Sequence, residues 1–135
     1  ATDYCFATKF ASAKLSELAI GIGPFVVGPA VERKIGTSAF SAMTLNATKW
    51  FDAEWAREKG LYTEIFDSLE EMDIEIEKLA TTLSNSNPEA MEGLKKVMWQ
   101  GTDHWDTLLM ERALSSGTLV LSDFTRNAIA KFKKT

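Results

Sequence analysis

The sequence predicts an α/β chain that is mostly α, on three observations. Tyr4, Phe6 and Thr8 alternate with Cys5 and Ala7, the period-two pattern of a strand with neighbours on both sides. Leu18 to Val31 is a run of fourteen residues with no charged or hydrogen-bonding side chain, punctuated by Gly21, Gly23, Pro24, Gly28 and Pro29. From Ser68 onward the apolar residues recur at helical spacing, so each segment presents one apolar face.

The elements follow in order. The first strand begins almost at Ala1, with no polar leader, and little else in the chain resembles a strand that could pair with it. Part of the protein is therefore expected to lie outside this chain. Gly28 and Pro29 suit the cap and first position of a short helix that Gly36 stops. Thr37 or Ser38 can cap a second helix through Phe40, Met43 and Leu45, and Asp52 a third that ends at Gly60. Residues 61–66, LYTEIF, favour a short strand. Ser68 and Glu71 have capping-box spacing and open a helix with Leu69, Met72, Ile76, Leu79, Ala80 and Leu83 on one face. Asn87 and Pro88 start the next, with Met91, Leu94, Val97 and Met98 inward. Asp103 starts another, and Ser122 or Asp123 the last, where Phe124, Ala128 and Phe132 are spaced by four.

Composition narrows the function classes. With 135 residues, a net charge of -4 and 45% hydrophobic residues, the chain suits one folded domain. That charge gives no general affinity for nucleic acid or an anionic membrane, and the apolar run is too short and too rich in Gly and Pro to span a bilayer. One cysteine, Cys5, cannot form an internal disulfide, and no Cys/His cluster suggests a metal. A cytoplasmic, reducing compartment is expected.

Most chemistry-bearing residues have a plain packing account. Met72, Met91, Met98, Trp99 and Trp105 sit at packing spacing and read as core. His104, the only histidine, reads as a surface or loop residue, and Cys5 as a small buried hydrophobe. The acidic stretch from Glu70 to Glu77 reads as a solvated helix face. Glu17 stands apart, at the head of the apolar run. It is either the last exposed residue before the chain enters a core or a carboxylate held in a dry place for chemistry.

Four stretches, in order, resemble the C-terminal half of an enoyl-CoA hydratase/isomerase of the crotonase superfamily. They are ATDYCFAT, then Ser16-Glu17-Leu18 with Gly21 and Pro24, then Asp52-Ala53 with Ala56 and Gly60-Leu61, and finally SDFTRNAIAKF. Where many hydratases carry GAGG after the proline, this chain has FVVGP. Pro29 and ERKIG fit the branch resembling methylglutaconyl-CoA hydratases.

The resemblance implies a crotonase-like (ClpP/crotonase) α/β fold. Residues 1–66 would form the last ββα turn of the spiral core and 67–135 a helical trimerisation region. It implies an acyl-CoA thioester substrate, no separate cofactor, no metal, and a homotrimer or dimer of trimers. It makes Glu17 a catalytic acid/base acting at the β-carbon side of an enoyl thioester. A dry acyl pocket disfavours the charged form of a carboxylate, which suits proton transfer near neutral pH. It places Pro24 and Phe25 at the acyl chain, and Phe132 and Lys133 at the CoA moiety. The oxyanion hole and a second glutamate would lie upstream of Ala1. The rivals are an enoyl-CoA isomerase or other enolate chemistry in the same family, and a non-catalytic helical interaction module.

Overall fold

A computed structural model describes residues 2–132, with Phe132 described by its backbone alone. The strands are short and fall early. β1 (Phe6–Thr8) pairs in parallel with β4 (Glu64–Phe66), Phe6 opposite Glu64 and Thr8 opposite Phe66. Lys9 N–H donates to Phe66 O at 2.8 Å and Thr63 N–H to Cys5 O at 2.7 Å, extending the ladder at both ends. β2 (Ser12–Ala13) pairs antiparallel with β3 (Phe51–Asp52), a contact the sequence did not suggest because two residues carry no readable alternation. Each sheet has two strands, so among the described residues β1 has a neighbour on one side, not both. Cys5 beside it is half-buried rather than buried.

The core forms where the strands meet α1 (Gly28–Leu45). Leu15, Ile35, Ala39, Met43 and Phe51 cluster there, with Met43 only 2% exposed. Helix α2 (Ala53–Glu58) buries Ala53 and Ala56 and meets this cluster through Trp55, which packs on Phe51 with ring centroids 4.3 Å apart. Asp52 caps α2 as expected, accepting from Trp55 N–H at 2.8 Å, and Gly60 ends it at φ 81°.

Gly36 interrupts α1 where a stop is expected, with φ 75° and ψ 160°. Helical geometry resumes after it, so α1 consists of the two expected helical stretches, meeting at a kink at Gly36. Its N-cap is Val27 and not Gly28, because Pro24 O already accepts the Gly28 N–H at 2.8 Å. Thr37 does not cap the second half through its hydroxyl, which donates to Glu32 Oε1 at 2.8 Å.

Four helices follow: α3 (Leu69–Ser84), α4 (Pro88–Met98), α5 (Trp105–Val120) and α6 (Asp123–Phe132). Ser68 Oγ accepts from Glu71 N–H at 3.1 Å, while Glu71 reaches back to Asp67 N–H rather than to Ser68. Asn87 Oδ1 caps α4. Asp103 does not start α5: His104, exposed and without a side-chain cap, precedes Trp105.

The expected inward faces of α3–α5 carry no buried residue. On α4, Leu94 is 59% and Val97 68% exposed, and Met91 and Met98 are exposed too. These methionines are not core of this chain. Met72 is half-buried, as are Trp99 and Trp105, which meet edge to face at 5.9 Å. The helical period marked apolar faces correctly; it carried no information on what covers them.

Candidate active site

Glu17 opens a 3-10 turn, Glu17–Ile20, that follows core residue Leu15. The apolar sequence after it cannot continue as a regular helix, because Gly21 takes a left-handed conformation at φ 83° and closes the turn. Gly21 N–H returns to Leu18 O at 3.1 Å and Ile22 N–H to Glu17 O at 3.0 Å, so the backbone of Glu17 is fastened at its carbonyl. Its side chain is half-buried, and Oε2 is buried with no hydrogen-bond partner among the described residues. A buried polar atom left unpaired is uncommon in a folded chain, and a catalytic role is one physical reason for keeping it.

Two elements hold this turn: α1 on one side and α6 on the other. A Cβ on Gly21 would meet the Phe124 ring, and would lie 2.9 Å from Thr125 Oγ1. Thr125 is fully buried at 0% exposure, and its hydroxyl is bonded to Ser122 Oγ at 3.2 Å. Ser122 Oγ also caps α6, accepting from Thr125 N–H.

Beyond the turn the chain passes through Gly23, which faces the Phe25 ring closely enough that a side chain there would displace it. Pro24 is buried and Phe25 half-buried. Both line a cavity of about 270 Å³ with Glu32, Phe40, Thr44 and Arg112. Arg112 Nη1 donates to Phe25 O at 3.4 Å, and Thr44 Oγ1 is buried without a partner among the described residues. The cavity therefore has aromatic walls with a few polar groups.

The structure thus brings Pro24 and Phe25 together in one cavity and puts Glu17 on the turn that leads into it, outside the residues that line it. The side chain of Phe132 and all of Lys133 lie outside the described residues. The backbone of Phe132 is roughly 12 Å along α6 from Phe124, at 1.5 Å per residue.

Arg112 and Thr125 are missing from the sequence-derived site. Arg112 could have been found, since it sits three and four residues after Leu109 and Leu108, a charge on an otherwise apolar face. Thr125 gives no such signal. Its role comes from a contact more than a hundred residues away in sequence.

Other titratable groups cluster elsewhere. Asp3 is held below the usual carboxylate range by hydrogen bonds from Lys95 and then from the Trp99 indole. A hydrogen bond to Glu64 raises Tyr4. Tyr62 is raised by burial, with a smaller contribution from Cys5. Among the described residues, no three His, Cys, Asp or Glu side chains are grouped to hold a metal ion, and no helix is long and apolar enough to cross a membrane.

Comparison with known proteins bears on the fold and the family. An enoyl-CoA hydratase from Mycobacterium avium is similar to the chain at 25% identity and a TM-score of 0.87, over 98% of this chain and 51% of that one. A putative enoyl-CoA hydratase from Mycobacterium avium paratuberculosis K-10 matches at 23% and 0.88, over 98% and 51%. An enoyl-CoA hydratase/isomerase from Pseudoalteromonas atlantica T6c matches at 18% and 0.86, over 98% and 53%. The chain spans about half the length of these solved structures, and it shares their crotonase-like fold. Among curated proteins none matches it. The sequence profile described as Enoyl-CoA hydratase/isomerase matches residues 1–129, nearly the whole chain, and with the fold already seen this means that the chain belongs to the enoyl-CoA hydratase/isomerase family.

Proposed function

We propose that this chain supplies the acid/base carboxylate of an enoyl-CoA hydratase, and that the carboxylate is Glu17. One observation supports the reading: Oε2 of Glu17 is buried without a hydrogen-bond partner among the described residues, on a turn whose backbone is fastened by Gly21 and Ile22. A carboxylate so placed can take a proton from water or return one to carbon. In hydration the water oxygen bonds to C3 of the enoyl thioester, one water proton ends on C2, and the other stays on the new hydroxyl. No electrons are exchanged with a second reactant, so the reaction calls for no cofactor beyond the CoA that the substrate carries. Charge gathers on the thioester oxygen as the enolate forms, and backbone N–H donors stabilise it. The family resemblance assigns those donors, and a second glutamate, to residues outside this chain.

The walls formed by Pro24 and Phe25 would receive the acyl chain, and Phe132 with Lys133 the CoA moiety. The uncovered faces of α3–α5 support assembly as a homotrimer or a dimer of trimers.

Isotope labelling tests the reaction in the full-length protein. Incubation of trans-2-enoyl-CoAs of graded chain length in oxygen-18 water should give 3-hydroxyacyl-CoA carrying the label. Conversion of a 3-enoyl-CoA to the 2-enoyl isomer without label would replace the hydratase reading with isomerase. Inertness to every thioester would remove the enzyme reading and leave the helical interaction module.

A further inference from the structure

Two residues of the last helix, Phe124 and Thr125, meet the proposed catalytic turn at Gly21. Thr125 is fully buried although it is polar, and its Oγ1 lies 2.9 Å from where a Cβ on Gly21 would fall. The Phe124 ring approaches the same position from the adjoining residue, although Phe124 as a whole is exposed. Gly21, in turn, is the residue whose N–H closes the Glu17 turn, next to Ile22, whose N–H holds the Glu17 carbonyl. The side chain of Thr125 is itself tied down by Ser122 Oγ at the start of α6.

From this geometry we infer that Thr125, with Phe124 beside it, is a positioning residue for Glu17: the first turn of α6 clamps Gly21 and thereby sets where the carboxylate sits. The inference rests on the acid/base reading of Glu17. It makes the seating of the C-terminal helix a condition for turnover, since small misplacements of a reacting group cost large factors in rate. The contact on Gly21 involves none of the residues assigned to the substrate, so its loss acts on kcat more than on KM.

Thr125→Ala in the full-length protein tests this, with amide exchange at Gly21 and Ile22 and turnover of crotonyl-CoA as readouts. Exchange at both amides should quicken, and kcat should fall about tenfold with KM within about twofold of wild type. Thr125→Ser, which keeps the oxygen, should restore both. In a Glu17→Gln background Thr125→Ala should lower turnover no further, because residues acting through one group are not additive. Unchanged exchange at Gly21 and Ile22 overturns the clamp, and so does a kcat loss that persists in full in the Glu17→Gln background. If wild type leaves crotonyl-CoA untouched, the hydratase reading fails on that substrate while amide exchange still decides the clamp. Should Thr125→Ala fail to fold, Phe124→Ala carries the same measurements, because Phe124 is an exposed residue whose truncation the fold tolerates more readily.

Discussion

A carboxylate oxygen withdrawn from water with no donor among its described neighbours, as Oε2 of Glu17 is, costs folding about 1–3 kcal/mol. Glu17→Gln keeps the shape and removes the proton exchange. We expect it to lower kcat by about two to four decades while leaving CoA binding nearly unchanged, as steady-state kinetics and CoA titration would show. Near-normal turnover of every enoyl-CoA that wild type accepts would exclude Glu17. Farther along the sequence, Phe132→Ala with Lys133→Ala should raise KM for acyl-CoA with a much smaller effect on kcat. The lysine part should fade as salt rises. Unaltered acyl-CoA affinity at low salt, with a lowered Tm, would make that end purely structural. Asp3 gives a pH prediction. Its carboxyl is lowered in the folded chain by Lys95 and then Trp99, so the tie it makes is present at neutral pH and is lost as pH falls through that lowered value. Trp99→Phe removes one of the two donors and should move the release of residues 2–4 to higher pH, followed by their amide exchange. Release at the same pH in both proteins would show that the indole contributes nothing.

At the scale of elements, Gly36 tests whether the kink in α1 is a backbone requirement. Nothing lies within 4 Å of a Cβ built there, so Gly36→Ala meets no clash. Its φ of 75° with ψ of 160° is a region that only glycine enters readily, and the substitution should still cost about 1–3 kcal/mol by denaturant unfolding. A neutral result would mean that the helix can straighten. The kink turns Ile35 on one side and Ala39 and Met43 on the other into the same core, so straightening is expected to loosen Leu15, which leads into the Glu17 turn. Helix boundaries were legible wherever a cap is a local event, as at Asp52, Ser68 and Asn87. They were misjudged at Gly28 and Asp103, where the start of the helix is set by the path of the preceding chain.

For the whole molecule, the apolar surface is the dominant fact. A cavity of about 520 Å³ opens between the N-terminal segment and the α3–α4 pair, lined by Tyr4, Leu79, Leu83, Met91, Leu94 and Met98 among others. With Leu94, Val97, Met110 and Leu114 also exposed, these helices have far more apolar face than single scattered side chains. We expect the full-length protein to sediment as a trimer or a multiple of it. Leu94→Glu with Val97→Glu should shift it toward monomer if these faces meet between subunits. A wild-type protein that is monomeric at micromolar concentration would contradict the assembly.

The sequence by itself determined which residues are chemically out of place and which segments have one apolar face. Glu17 stood out because charge is conspicuous beside fourteen apolar residues, and the helices because their period is a local property of the chain. Tertiary structure alone decided what those features meet. It buried one oxygen of Glu17, set Arg112 beside Phe25, and seated Thr125 on Gly21. It also left the faces of α3–α5 uncovered by the described residues. Periodicity encodes a direction relative to the helix axis, whereas burial depends on which distant segment arrives on that side, and that partner is written elsewhere in the chain.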